Sequence, residues 1–328
     1  MNYWEFKRLL KEKNIPMVYL FIGEEKFLME EALNDLRKRL KDADYHVFFG
    51  EDITWRDILP YIEGGVLFEK QMLVIRHCQN LKEPSDKDRI SYLLKKPINT
   101  YIVFMANADE EKQKKNYLQK LISQEGVVEF NKLKSDGVRR WINEKIKEFN
   151  VTIEPDALYF LYISFGENLA LLYKELEKVM AFIGDKKYIT LDDLKMVSSP
   201  REVAFYTFLD ALYKRDIFLA LGGFDTLWNE GMYPIVILDI IIKQFRQLIR
   251  VYALLRKGLS EDEIKDRLDL HPFVVKKTIQ ALNNFTAAEL LEFYFNLRQL
   301  DQEIKSTTKN PRILIEKFLI KLNKTLTY

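Results

Sequence analysis

At 328 residues the chain is longer than one ordinary domain, so two or three are predicted. Hydrophobic residues make up 48% of it, enough to bury proper cores, and the charged fraction of 30%, above the roughly 25% usual for soluble proteins, hints at a heat-stable source. The formal net charge of +2 excludes a global field that would draw the whole molecule onto nucleic acid or membrane, so any DNA contact has to be local or shared with partners.

Residues 1–13 read as an amphipathic charged helix rather than a signal peptide. From residue 3 to 130 strands and helices then alternate. Strands are predicted at 17–22, 45–49, 72–77 (MLVIRH), 101–106 (YIVFMA) and 127–130, with helices at 28–41, 54–63 and 111–124. Short, almost continuously apolar strands separated by helices indicate a parallel sheet covered on both faces. Past Lys134 no further strand is predicted. Helices at 136–149, 155–164, 169–183 and 190–197 form a small helical segment, which Ser198-Ser199-Pro200 closes with the clearest linker-like break in the chain. Everything beyond reads as helix: 201–214, 216–229, 233–257, 260–268, 271–284, 286–305 and 311–326. Capping boxes at Thr190/Asp193, Ser260/Glu263 and Thr286/Glu289 mark three of these starts. Residues 233–242 are apolar nearly all round, predicting a helix central to a bundle, and stop at Lys243, well short of the about 18 apolar residues of a membrane span. The reading is α/β followed by all-α, soluble, cytoplasmic and divided at 1–134, 135–200 and 201–328.

The chemistry centres on residues 16–32, PMVYLFIGEEKFLMEEA: a buried strand, one glycine and a charged turn into a helix. A nucleotide-binding α/β domain places its phosphate loop there, reading G-x-x-x-x-G-K-[ST]. Here Gly23 is followed by Glu24, Glu25 and Lys26; the second glycine and the Lys-Ser/Thr pair are missing, and two carboxylates repel a triphosphate. Hydrolysis also needs an Asp, usually followed by Glu, after the third strand to hold Mg²⁺. Arg76-His77-Cys78-Gln79 stands there instead. No Ser-Arg-Cys finger motif occurs, and Asn107, where a sensor residue would sit, reads as a turn residue. The histidines His46, His77 and His271 lie on three different elements without metal-ligand spacing. Neighbouring strand residues face opposite ways, so His77 and Cys78 cannot form a nucleophile pair, and a single cysteine fits a reducing cytosol. Lys112, Lys114, Lys115 and Lys120, and again Lys132, Lys134, Arg139 and Arg140, suit either phosphate contact or a solvated helix face. Finally, Gly64-Gly65-Val66-Leu67-Phe68-Glu69-Lys70 puts three apolar residues after a flexible pair. They either fold back as a loop plug or are displayed for a partner's pocket.

PMVYLFIGEEKFLMEEAL, GGVLFEKQMLVIR, FGENLALLYKELEKV with ITLDDL, IKQFRQLIRVYALLRKGLS, LHPFVVKK and LRQLDQEIKS occur in an order and spacing that resemble the delta-subunit family of the bacterial DNA polymerase III clamp loader along essentially the whole chain. Thr307-Thr308 depart from it, where a glycine is expected. The resemblance implies an AAA+-like sheet domain, a helical lid and a C-terminal helical collar. It implies no catalysis and no cofactor of the chain's own, within an assembly that has DNA-directed DNA polymerase activity. The implied partners are the beta sliding clamp, ATP-binding loader subunits and delta-prime in a hetero-pentamer, and primed DNA within that assembly. The family's clamp-binding element falls on Leu67 and Phe68, with Val66 beside them, and its mechanism is to open the ring for loading. The competing readings are an active AAA+ ATPase in which Lys26 works alone, and a nucleic-acid-binding adaptor using the lysine clusters.

Overall fold

The computed structural model describes residues 1–63, 70–106, 117–166 and 168–322. These fall into two compact units, Met1–Lys132 and Leu133–Tyr328. The first unit opens with α1 (Tyr3–Leu9), capped reciprocally by Asn2 and Glu5. It is shorter than predicted because Arg39 takes the carbonyls of Leu10, Glu12 and Lys13, drawing the chain off the helical path. There follow β1 (Val18–Gly23), α2 (Lys26–Arg39), β2 (Asp44–Phe49), α3 (Trp55–Ile62), β3 (Gln71–Arg76), α4 (Lys87–Lys95), β4 (Thr100–Met105), α5 (Leu118–Leu121) and β5 (Val127–Phe130).

The five strands form one parallel sheet in the order β2-β3-β4-β1-β5. Every residue of β1 is buried, as its unbroken apolar run requires for a strand covered on both faces. Leu20, Ile22, Leu73, Ile75, Ile102 and Phe104 pack with Trp55, Ile58 and Ile62 of α3 and Ile90 and Leu94 of α4. Tyr19 and Phe21 alternate to the opposite face, where Phe6 meets both rings edge-on at 5.5 and 5.3 Å. The N-terminus closes the outer edge of β5: Asn2 bridges Glu129, and the Glu129 N–H donates to the Met1 carbonyl at 2.8 Å. β2 lies at the other edge with Val47 and Phe49 exposed. The helix predicted for 111–124 is described only from Leu118, and it stops at Leu121 because Ile122 turns extended.

In the second unit come α6 (Ser135–Glu148), β6 (Thr152–Ile153), α7 (Pro155–Phe165), α8 (Leu169–Ile183), β7 (Tyr188–Ile189) and α9 (Leu191–Val197). The two short strands pair in parallel, contrary to the expectation of no strand beyond Lys134; with two residues each they carry no readable alternation. The helices α10 (Pro200–Lys214), α11 (Ile217–Asn229), α12 (Pro234–Arg256), α13 (Glu261–Leu268), α14 (Pro272–Leu282), α15 (Ala287–Ser306) and α16 (Pro311–Lys321) complete the chain. Proline stands in the first turn of α7, α10, α12, α14 and α16, where its missing N–H costs nothing. Pro200 therefore starts a helix; Ser199 caps it and the Ser198 hydroxyl bonds Glu175 of α8.

The bundle core joins Phe208, Phe224, Phe245, Phe293 and Phe318 with Ile237, Leu238, Ile241 and Leu297. α12 is central along one face, but Tyr233, Ile235 and Val236 at its start are exposed, so all-round apolar sequence there does not mean all-round burial. A buried cation ties the two helical segments of this unit together. Lys277 of α14 reaches Asp156 of α7 at 2.9 Å and Asp210 of α10 at 3.0 Å, against the rings of Tyr159 and Tyr206.

Candidate functional site

Ligands of parallel α/β sheets bind at the carboxyl ends of the strands, and Gly23 closes β1 at that end. Its φ of +140° is open to glycine, and a Cβ there would lie 2.2 Å from the Phe130 carbonyl oxygen. The same carbonyl accepts the Glu25 N–H at 2.9 Å, and the Lys26 N–H turns back to the Glu24 carbonyl at 3.1 Å. Backbone donors that would cradle a phosphate are thus bonded within the protein. Glu25 is half-buried at the start of α2: burial raises its pKa, opposed by the Phe27 amide and Lys132. Lys26 and Glu24 point into solvent.

At the end of β3, where magnesium-holding carboxylates would stand, Arg76 makes a two-armed ion pair with Glu30 of α2, its Nη2 donating to Oε2 at 2.8 Å. That bond holds the guanidinium above its ordinary pKa. Sequence reasoning missed this cross-link, since no motif connects residues so far apart. His77 takes a left-handed conformation with φ 52°, and its Nδ1 lies 3.0 Å from Glu51. The bond to His77 lowers the Glu51 carboxyl below its usual range. β3 ends at Arg76, so His77 and Cys78 are not the alternating strand neighbours expected from sequence; Cys78 is buried in the sheet core and the His77 side chain is partly exposed.

His46 sits on β2 beside Asp44, and His271 caps α14, its Nδ1 accepting the Phe273 N–H at 3.1 Å. Among the described residues no group of His, Cys, Asp and Glu could hold a metal ion. The turn at Gly23, Glu24, Glu25 and Lys26 bonds the start of α2 to the end of β5.

The residues proposed from sequence for partner binding, Val66, Leu67 and Phe68, lie outside the described residues, as do Asn107, Lys112, Lys114 and Lys115. Both flanks of 64–69 are described. α3 ends with the Glu63 N–H on the Leu59 carbonyl at 2.9 Å, and the Lys70 carbonyl accepts the Asp44 N–H at 2.8 Å. Ile62 in turn accepts the Ile98 N–H at 3.2 Å, and the Thr100 hydroxyl donates to the Tyr61 carbonyl at 2.7 Å. These flanks stand at the amino end of β3. Gly23 stands at the carboxyl end of the sheet, about 20 Å away along strands of this length. The described flanks of 64–69 and the Gly23 turn therefore stand at opposite ends of the sheet.

The described members of the basic clusters divide between the two units. Lys120 and Lys132 are exposed in the first unit. Lys134, Arg139 and Arg140 belong to the second, where Arg140 pairs with Glu144 at 3.3 Å and Asp136 and Glu144 share a cleft with Arg139, Lys147 and Lys265.

Residues 202–322 match the family described as the DNA polymerase III delta subunit, C-terminal domain, and residues 136–195 match a family described as a middle domain. The chain is 25% identical over 330 residues to the DNA polymerase III subunit delta of Bacillus subtilis, covering 96% of this chain and 95% of that one. It is 25% identical over 315 residues to the probable DNA polymerase III subunit delta of Aquifex aeolicus, covering 92% and 90%. Among solved structures, the Bacillus subtilis DNA clamp loader delta protein shares the fold with a TM-score of 0.51 at 24% identity, covering 98% of this chain and 99% of that one.

Proposed function

From the premise that this chain belongs to the delta subunits of DNA polymerase III and serves in clamp loading, we propose that it is the loader subunit that binds the sliding clamp and opens its ring. In this reading Leu67 and Phe68, with Val66 beside them, enter an apolar pocket on the clamp. Moving a leucine and a phenylalanine from water into a pocket contributes on the order of 3–6 kcal/mol gross, enough to anchor a specific contact. To open the ring, the subunit must bind the open-interface clamp more tightly than the closed one; equal affinity for both would shift nothing.

Residues 1–134 are the AAA+-like platform, 135–200 the lid and 201–328 the collar that assembles with ATP-binding subunits and delta-prime. Primed DNA enters as the substrate of the whole loader. The observation that carries the reading is the internal bonding of the phosphate-loop turn: the Glu25 amide is taken by Phe130 and the end of β3 by the Arg76–Glu30 pair. This supports a platform rather than an ATPase. Its anchored amino end supports the apolar segment as the working part. The test is a pull-down with Leu67→Ala/Phe68→Ala. The variant should lose the clamp while still assembling with the other loader subunits; clamp retention at the wild-type level would sink the assignment.

A further inference from the structure

The amino end of the sheet displays apolar surface beside the described flanks of 64–69. Ile98 is 50% exposed although its backbone is fixed, its N–H bonded to the Ile62 carbonyl. Tyr92 on α4 is 71% exposed. It lies one helical turn from Arg89, whose Nη2 bonds Glu63 at 2.8 Å, so the same stripe of α4 faces the last described residue before the segment. An isolated exposed apolar residue is ordinary, but two held around the root of one segment make a shelf.

The charge around it is mostly positive, with exposed Asp88 one turn before Tyr92 on α4 as the nearest opposing group. Lys70, Lys95 and Lys96 are exposed and have no carboxylate in ion-pair range among the described residues; the adjacent Glu63 is already taken by Arg89. A protein that covers Tyr92 and Ile98 would gain by meeting those lysines with carboxylates.

We propose that Tyr92 and Ile98, rimmed by Lys70, Lys95 and Lys96, form a second docking patch for the sliding clamp, fitting an apolar area edged with acidic side chains next to the pocket that takes Leu67 and Phe68. The inference rests on the clamp-binding reading above. The clamp is favoured over DNA as the occupant because two bulky apolar side chains stand at the patch centre, which a phosphate backbone does not reward.

The test measures binding of full-length chains to immobilised clamp over a range of salt. Tyr92→Ser/Ile98→Ser should weaken binding about tenfold or more, mainly through faster dissociation. Tyr92→Phe should bind like wild type. Lys95→Glu/Lys96→Glu should associate more slowly at low salt and lose most of the salt dependence. Unchanged helical circular dichroism and melting would establish that these exposed substitutions leave the fold intact. If Leu67→Ala/Phe68→Ala abolishes binding while Tyr92→Ser/Ile98→Ser binds like wild type, the patch is refuted and the plug stands. If the plug variant itself binds like wild type, both fall. A lysine variant that loses single- or double-stranded DNA affinity yet keeps its clamp association rate would also overturn the patch.

Discussion

Lys277→Met removes a cation that joins the middle helices to the C-terminal bundle. The ammonium is 14% exposed and Asp210 17%, so deleting it leaves a mostly buried carboxylate short of a partner. Breaking a buried pair from one side costs about 3–5 kcal/mol. Two features reduce that here: Asp156 is 42% exposed and can turn to water, and Lys214 still holds Asp210 at 2.6 Å. Methionine keeps most of the packing against Tyr159 and Tyr206, at the loss of the cation's attraction to their rings. The net cost should be about 2–3 kcal/mol, lowering the melting temperature of this unit by about 5–10 °C.

Acid adds a second readout. Burial alone would raise the Asp210 pKa, but the bonds from Lys214 and Lys277 outweigh it and hold the carboxyl below its usual range. Its contribution is present above the ordinary aspartate range and is lost as pH falls through the lowered value. Melting curves by circular dichroism across that range should show a shallower acid loss in Lys277→Met than in wild type. Lys277→Met/Asp210→Asn should recover part of the stability, because it removes the stranded charge. A single variant melting with wild type, or a double variant no better than the single, would refute the view that this ion cluster orients the two segments.

Gly23→Ala forces a Cβ onto the Phe130 carbonyl at a φ that favours glycine, and should destabilise the first unit by about 3 kcal/mol or more, read by denaturant unfolding. His271 is buried and its pKa is pushed down to about 4, chiefly by burial and then by Arg139, so the unfolded chain binds its proton first. Stability should therefore fall as pH drops from about 6.5 to 4, by about 3 kcal/mol in total. His271→Asn, which keeps a side-chain cap on α14, should abolish that dependence in acid titrations followed by circular dichroism. Equilibrium dialysis of the purified chain with ATP should give no affinity that Lys26→Ala removes; affinity lost in that variant would revive the ATPase reading.

β1, β3 and β4 were legible because they are covered on both faces and so read as short apolar runs, and β5, though an edge strand, falls on the predicted residues. The C-terminal helices were legible for a different reason: Ser260/Glu263 and Thr286/Glu289 cap α13 and α15 as capping boxes, and prolines stand in the first turns of α10, α12, α14 and α16. α4 escaped notice because only Ile90 and Leu94 are buried along it, too few to show a helical period. At the candidate site, the missing phosphate-loop residues could be read directly, since a motif is local. What fills their place could not. The Arg76–Glu30 pair joins residues 46 positions apart, and Lys277 meets Asp156 only through the packing of α7 on α14. Exposure of Ile98 was equally hidden, because its position after Pro97 reads as a turn whichever way the side chain goes.

A phosphate-loop turn in an ATPase is ordered by its ligand, which lets nucleotide state alter the domain. Here the turn is ordered by the chain itself: Glu25 is bonded to the end of β5, and α2 is held to the end of β3 through Glu30 and Arg76. The Glu25 amide and the Arg76–Glu30 pair are therefore satisfied without any ligand. The flanks at Ile62 and Lys70 are likewise held by Ile98 and Asp44, so their geometry is fixed before any partner arrives. In the proposed role, control by ATP must therefore act through the neighbouring loader subunits, by covering or uncovering the amino end of the sheet, and the coupling is a competition between contacts rather than a change of fold.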